Sequence, residues 1–392
     1  MLAGLLNHWR VQAAWERVLP LRHPWVFLAY LRNRWRHGRR RLDGARPLAV
    51  LQFNPRQRWA LNEYLYATLL FFMEGGYGVW YAWPIRFRDY LALRDYRCAW
   101  GRWIYGLPQV KVADRPPGNV AAAIHVIEAA AEAPAAAGGT LLRIDFDGLA
   151  AYRALAASRP RSVYLPFPMF PPQYRLGNHH RLGAFRGLPR RVRMGFIGAA
   201  DPQHYGPGRD ANQATGKMPR AQIVALLRRR WPRLEAPATA ADLSRLLHGL
   251  DAGVFVLATG VHVAAADWLA TLARFDFFLC PPGQSMPMCH NLIESLAVGA
   301  IPITNYSDWL NPHLEHGVNA LLFDSEDALL ACLETAAAMA PDRIAAMRQA
   351  AGDFYDRHLS PKAFAAALRA LDGPGWTIHV NAERTSLLPP DR

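Results

Sequence analysis

The stretch from Phe275 to Phe323 does most to limit what this chain can fold into. An apolar run, Phe275 to Cys280, stops at Pro281-Pro282-Gly283. A helical segment carrying Glu294 follows and Gly299 closes it. A second apolar run, Ala300 to Thr304, comes at once. Strand, loop, helix, strand is the building unit of a parallel sheet. Such sheets bind ligands outside the carboxyl ends of their strands. The loops after Cys280 and Thr304 are therefore the first place to look for a site.

The run PPGQSMPMCHNLIESLAVGAIPI resembles the donor-binding motif of GT-B fold glycosyltransferases, especially the exostosin-like branch. In that family a glycine loop leads into a helix whose Glu binds the donor ribose, and a Gly-small-Ile/Val-Pro strand comes next. The resemblance covers about residues 190 to 370 and is weak before that. It implies an α/β, GT-B architecture: two Rossmann-like domains facing across a cleft. It also implies a nucleotide sugar as donor substrate, a glycan or lipid-linked acceptor, no cofactor and no metal. The setting it suggests is bacterial cell-surface polysaccharide or glycoconjugate synthesis.

Length supports two domains. The chain has 392 residues, 52% of them hydrophobic, which is more than one typical core accommodates. Its net charge of +14 is unevenly placed. Residues 1–46 hold ten Arg against Glu16 and Asp43, a net +8, and lysine occurs only at Lys111, Lys217 and Lys362. The four cysteines, Cys98, Cys280, Cys289 and Cys332, form no CxxC pair or metal-ligand cluster, so reduced thiols and a cytoplasmic setting are expected. No apolar run follows the first basic residues as in a secretory signal, and none reaches the ~20 residues of a membrane span.

The chain divides into four segments. Residues 1–46 are a basic N-terminal helical segment with Leu2, Leu5, Leu6 and Trp9 at helical spacing and a following Arg cluster. A basic helix with Leu and Trp on one face can lie on an anionic membrane surface, here the inner face. The alternative is a helix packed on the protein with a solvated Arg face. Nothing downstream resembles a nucleic-acid module. Residues 47–172 form the N-terminal, acceptor domain. Its expected elements are a strand at 47–53, a helix at 57–74, a strand at 79–83, an irregular aromatic stretch at 84–118, a helix at 121–133, and strands at 140–146 and 162–165. Gly75, Gly76 and Gly78 follow the helix instead of preceding it, which excludes a dinucleotide fingerprint. Pro166 to Pro172 reads as the linker. Residues 189–372 form the donor domain, and 373–392 an irregular tail.

The chemistry of a sugar nucleotide assigns the candidates. A carboxylate can accept hydrogen bonds from both ribose hydroxyls, which is the role the resemblance gives Glu294. The diphosphate needs positive charge and N–H donors because negative charge grows on it as it leaves. Arg220 and Lys217, near the start of the first donor-domain helix, are alternatives for that role. The first-turn N–H groups at His290 and Asn291, and a close backbone approach at Gly198 and Gly283, would add to it. Tyr306 and Ser307, with Asp308, follow the Ile-Pro-Ile strand and are expected to face the same cleft. Retaining members of the family often carry an earlier Glu separated from this one by seven residues, and Met286 stands there. That favours inversion by direct displacement, which needs a general base. Asp147 is the leading candidate and Asp145 the next, with Glu63 and His125 behind them. Two other classes fit the fold: a nucleotide-sugar 2-epimerase, and a non-catalytic carbohydrate-binding relative.

Overall fold

A computed structural model describes residues 18–53, 62–91, 100–115, 117, 123–128, 131, 139–145, 161–206, 215–284 and 286–380. Helix α1 (Pro24–Gly38) precedes β1 (Leu48–Gln52), α2 (Asn62–Glu74) and β2 (Gly78–Tyr81). Two short helices, α3 (Phe87–Tyr90) and α4 (Trp100–Gly106), lead to β3 (Val110–Val112), β4 (Ile124–Glu128), β5 (Thr140–Asp145) and β6 (Ser162–Leu165). Next come α5 (Pro171–Arg175), α6 (Leu182–Arg186), β7 (Val192–Ile197), α7 (Pro202–Tyr205), α8 (Arg220–Arg230), β8 (Leu234–Glu235) and α9 (Ala240–Leu246). They are followed by β9 (Phe255–Ala258), α10 (Ala265–Leu272), β10 (Phe275–Leu279), α11 (His290–Val298) and β11 (Ile301–Thr304). The chain continues through β12 (Leu321–Leu322), α12 (Glu326–Ala338), α13 (Pro341–Phe354), α14 (Pro361–Arg369) and β13 (Trp376–Val380).

The strands form two sheets. One has seven strands in the order β3-β2-β1-β4-β5-β13-β6, and the other has six in the order β12-β11-β10-β7-β9-β8. Strands β1 to β5 pair in parallel, as do all the pairs of the six-stranded sheet. By internal contacts the chain forms two compact units. One is Met1–Asp145 with Ala365–Ile378, and the other Phe146–Phe364 with His379–Arg392. The chain thus returns to its first unit near its end. In each sheet the chain winds away from its first strand on both sides, which is the Rossmann pattern.

The central strands are apolar on both faces because helices cover both sides. All four residues of β9 and of β11 are buried, as are four of the five in β10. Helix α11 buries every residue from Leu292 to Val298. It ends at Gly299, whose φ of 68° is left-handed and favours glycine, and the Gly299 and Ala300 N–H groups donate to Leu296 and Ser295 carbonyls. Arg186 Nε donates to the Ala297 carbonyl at 2.8 Å and Arg190 Nη2 to that of Val298 at 2.7 Å. Two cations at a helix carboxyl end satisfy its last carbonyls and match its dipole. Ser325 caps α12 by accepting from the Ala328 N–H, with Glu326 and Asp327 in the first turn.

Several expectations need correction. The alanine-rich stretch 121–133, read as helix, contains strand β4, with Ile124, Val126 and Ile127 buried. Alanine favours helix, but β-branched residues and pairing with β1 and β5 override that propensity. His125 therefore sits on a strand, paired in register with Val50 and Leu141. The aromatic stretch 84–118 holds α3, α4 and β3. The tail, read as irregular, carries β13 in the seven-stranded sheet. The expected helix at residues 1–18 lies outside the described residues except for Val18.

Candidate functional site

In the six-stranded sheet, β7 lies between β9 and β10, so the chain leaves its first strand in one direction and later returns on the other side. That reversal opens a crevice at the carboxyl ends of β7 and β10, the place where such sheets bind ligands. The loop after β7 begins at Gly198, and the loop after β10 is Cys280-Pro281-Pro282-Gly283. Both loops belong to the second unit.

Arg220 occupies this crevice. It opens α8 after Pro219, which holds an extended conformation as N-cap. Its side chain is buried and donates to the Ala199 carbonyl (Nη1, 3.0 Å), the Pro282 carbonyl (Nε, 3.2 Å) and Cys289 Sγ (Nη2, 3.3 Å). The guanidinium also stacks 4.2 Å from the Tyr205 ring centroid. It thereby joins the two crevice loops to the N-cap of α11. Among the described residues no carboxylate pairs with it. A buried cation without an anion is costly, so its positive field is held in place by neutral groups and remains available to an incoming anion.

Helix α11 adds to that field. Its N-cap, Cys289, makes no side-chain cap, so the first-turn N–H groups keep their partial positive charge. The Gly283 loop is tight: its N–H donates to the Pro287 carbonyl at 3.0 Å, and a Cβ here would stand 2.7 Å from the carbonyl oxygens of both Met286 and Met288. Any side chain at 283 would push this loop open. Gly198 donates its N–H to the Ala258 carbonyl at 3.1 Å, and Asn291 Nδ2 reaches back to the Ile197 carbonyl at 3.5 Å. Gly198, Arg220, Gly283 and Asn291 thus gather at one strand end.

The other candidates are placed differently. Lys217 lies near the same loops, but Nζ pairs with Asp308 Oδ1 at 2.7 Å. Its charge is neutralised by the residue expected to face the cleft beside it. Tyr306 is completely buried and its hydroxyl pKa lies well above the usual value, first because of burial and then because Cys289 and Cys280 are close. It supports the site from beneath and cannot reach a ligand through solvent. Ser307 is half-buried at the start of a short 3₁₀ turn. His290 Nδ1 donates to the Pro168 carbonyl at 2.9 Å, and its ring packs near Phe167 and Phe170. Asp145 ends β5 and is half-buried, and it belongs to the first unit. Asp147 lies outside the described residues. Glu63 lies on α2.

Glu294 departs most from expectation. It is 1% exposed, and both carboxylate oxygens are engaged by the protein. Oε1 accepts from the Phe170 N–H at 2.9 Å and Oε2 from Trp268 Nε1 at 2.6 Å. Burial raises its pKa to about 7 even though both donors oppose the shift. In this state the carboxylate fastens the segment before α5 to α10 and α11. A ribose could use it only by displacing these bonds. Phe170, Trp268, Tyr205 and Cys289 are the residues that sequence reasoning missed here. Only Cys289, which flanks the loop with Cys280, carried any signal.

No family model matches the chain, and no curated protein matches its sequence. Solved structures match over most of its length. AviGT4, a glycosyltransferase of avilamycin A biosynthesis, is 14% identical over 82% of this chain and 96% of its own, with a TM-score of 0.38. Anabaena HepE in complex with UDP is 11% identical over 82% and 98%, with a TM-score of 0.37. The N-terminal domain of Candida albicans trehalose-6-phosphate phosphatase is 9% identical over 93% and 75%, with a TM-score of 0.32. Similarity this low says nothing of this chain's activity. Its fold, two parallel-sheet Rossmann-like units as in a GT-B protein, stands on its own strand orders.

Proposed function

We propose that this protein is a glycosyltransferase of the exostosin-like kind. Its second unit binds the diphosphate of a nucleotide sugar at the β7–β10 crevice, and the sugar passes to a glycan or lipid-linked acceptor in surface polysaccharide or glycoconjugate synthesis. The observation that carries this reading is the buried Arg220 guanidinium, unpaired with a carboxylate among the described residues and fixed beside the start of α11. Such a site favours a dianionic group and favours it more as negative charge builds up.

The reaction proposed is direct displacement. The acceptor hydroxyl oxygen attacks the anomeric carbon on the face opposite the diphosphate. As that bond forms, the bond from the anomeric carbon to the diphosphate oxygen breaks, and a carboxylate takes the hydroxyl proton. The nucleoside diphosphate leaves with the bonding electrons, and Arg220 and the α11 N–H groups stabilise the charge it gains. Asp147 and Asp145 are the proposed bases. Gly198 and Gly283 keep the backbone close to the phosphates, with Asn291 beside them. His290 and Ser307 border the sugar, and Tyr306 and Lys217 hold the loops. Ribose binding by Glu294 is proposed to follow release of Phe170.

The test is release of nucleoside diphosphate from a panel of nucleotide sugars, with and without extracted glycan or lipid-linked acceptors. Acceptor-dependent release with one donor is expected. Release without any sugar transfer, together with interconversion of the donor sugar, would make the protein an epimerase. Tight binding of a glycan with no release would make it a binding protein.

A further inference from the structure

Helix α1 carries an exposed apolar stripe. Among the described residues eight large apolar side chains are exposed, and six of them lie between Val18 and Trp35. Leu21, Trp25, Leu28 and Trp35 are each more than half exposed, Trp25 at 81%. Leu21 precedes α1, and spacings of three and seven residues place Trp25, Leu28 and Trp35 on one side of the helix.

The opposite side of α1 is fixed to its own unit, so rolling the helix cannot hide the stripe. Tyr30 is buried and its hydroxyl donates to the Ile85 carbonyl at 2.9 Å. His37 is buried and Nε2 donates to the Tyr105 carbonyl at 2.7 Å. Asn33 donates to the Tyr90 hydroxyl at 2.6 Å, and Phe27 packs edge-on to Phe87 at 4.9 Å. The exposed stripe is held outward by this anchored face.

The charges divide in the same way. Arg34 pairs with Asp114 at 2.6 Å, Arg40 donates to the Leu107 and Val110 carbonyls, and Arg46 to that of Met73. These three face the protein. Arg32 and Arg36 are exposed among the stripe residues, and Arg39 stacks 3.9 Å from the Trp35 ring. No Asp or Glu occurs between Arg17 and Leu42.

We infer that α1 is an interfacial anchor that lies along an anionic bilayer with Trp25, Leu28 and Trp35 immersed and Arg32, Arg36 and Arg39 at the phosphates. Tryptophan and leucine partition into the headgroup–acyl boundary, and arginine snorkels back to the anionic layer. Among the described residues no helix is long and apolar enough to cross a membrane, so α1 attaches along the surface. Charge complementarity selects this occupant. A second copy docked through the same face would set Arg32 and Arg36 against their equivalents, and a nucleic acid offers no apolar layer for the two tryptophans. The inference does not depend on glycosyl transfer.

The test is co-sedimentation of the full chain with phosphatidylcholine vesicles, with and without phosphatidylglycerol, across a salt series. Deleting residues 1–46 is unsuitable, because Tyr30 and His37 belong to the packed unit. The double variant Trp25→Ser/Trp35→Ser and the double variant Arg32→Gln/Arg36→Gln are used instead, with thermal unfolding to show that both fold. Binding to the anionic vesicles is expected to weaken with salt. The arginine variant should lose about fivefold per residue, and the tryptophan variant more than about tenfold. Failure of the wild type to bind, or equal binding by the folded tryptophan variant, overturns the inference. So does a concentration-dependent dimer that the tryptophan variant abolishes, because that result gives the stripe to a second copy.

Discussion

Helices α1 and α11 use apolar residues and arginine in opposite ways. Helix α11 buries seven of its nine residues, and the nearby arginines turn inward: Arg186 and Arg190 cap its last carbonyls while Arg220 grips its N-cap. Helix α1 buries only Tyr30 and His37 of its fifteen residues, and much of its arginine faces solvent. The lesson is that a formal charge count does not say which charges are available. Near α11 the cations fasten backbone and shape one pocket. On α1 they coat a surface. Replacing arginine should therefore cost folding in the first case and only surface binding in the second.

Arg190 gives the largest expected effect. It is mostly buried and donates to the Ala273, Phe275 and Val298 carbonyls, and burial lowers its pKa to about 9. Arg190→Met should lower unfolding free energy by about 3 kcal/mol, since each buried acceptor left unpaired costs about 1–3 kcal/mol. Urea denaturation measures it, and a loss below that of an exposed arginine would break the contrast.

Glu294 comes next and carries a pH signature. Its folded pKa is about 7, against an ordinary 4.5. The folded protein therefore holds this proton more tightly than the unfolded chain does. Its contribution to stability is full below pH 4.5, falls as pH rises from 4.5 through 7, and is constant above that. The total is roughly 3 kcal/mol. Glu294→Gln should remove that slope and, at pH 5, cost about 1–3 kcal/mol, because its amide sets a donor against the Phe170 or Trp268 N–H. Unfolding curves at several pH values check this, and an unchanged slope would reject the buried carboxylate.

Smaller effects sharpen the comparison. Lys217→Ala removes a half-buried pair with Asp308 and should cost no more than about 1 kcal/mol. Arg32→Gln/Arg36→Gln should leave stability within about 0.5 kcal/mol. A shift above that would mean that these arginines pack on the unit after all.

The strand-loop-helix-strand unit was legible because its signals agree. Two apolar runs, a Pro-Pro-Gly stop and a helix-closing Gly299 all point to one local structure. Strand β4 was not legible, because flanking alanines give a helical average and the deciding term is pairing with β1 and β5, both distant in sequence. Strand β13 was hidden because its sheet neighbours, β5 and β6, are distant in sequence. Gly198, Arg220 and Gly283 lie close together at the carboxyl ends of β7 and β10. The engagement of Glu294 was invisible, because its partners lie 124 and 26 residues away and nothing in their spacing links them to it.

The central claim is that Arg220 holds a nucleoside diphosphate at the β7–β10 crevice. Titration calorimetry of the full chain with UDP, GDP, ADP, CDP and dTDP tests it most directly, using wild type, Arg220→Lys and Lys217→Ala. Lysine keeps the charge but cannot reproduce a three-way grip. The account predicts that one diphosphate binds, that Arg220→Lys weakens it at least about tenfold, the loss of roughly one charge-assisted hydrogen bond, and that Lys217→Ala changes it far less. Undiminished binding in folded Arg220→Lys, or loss confined to Lys217→Ala, would contradict the account.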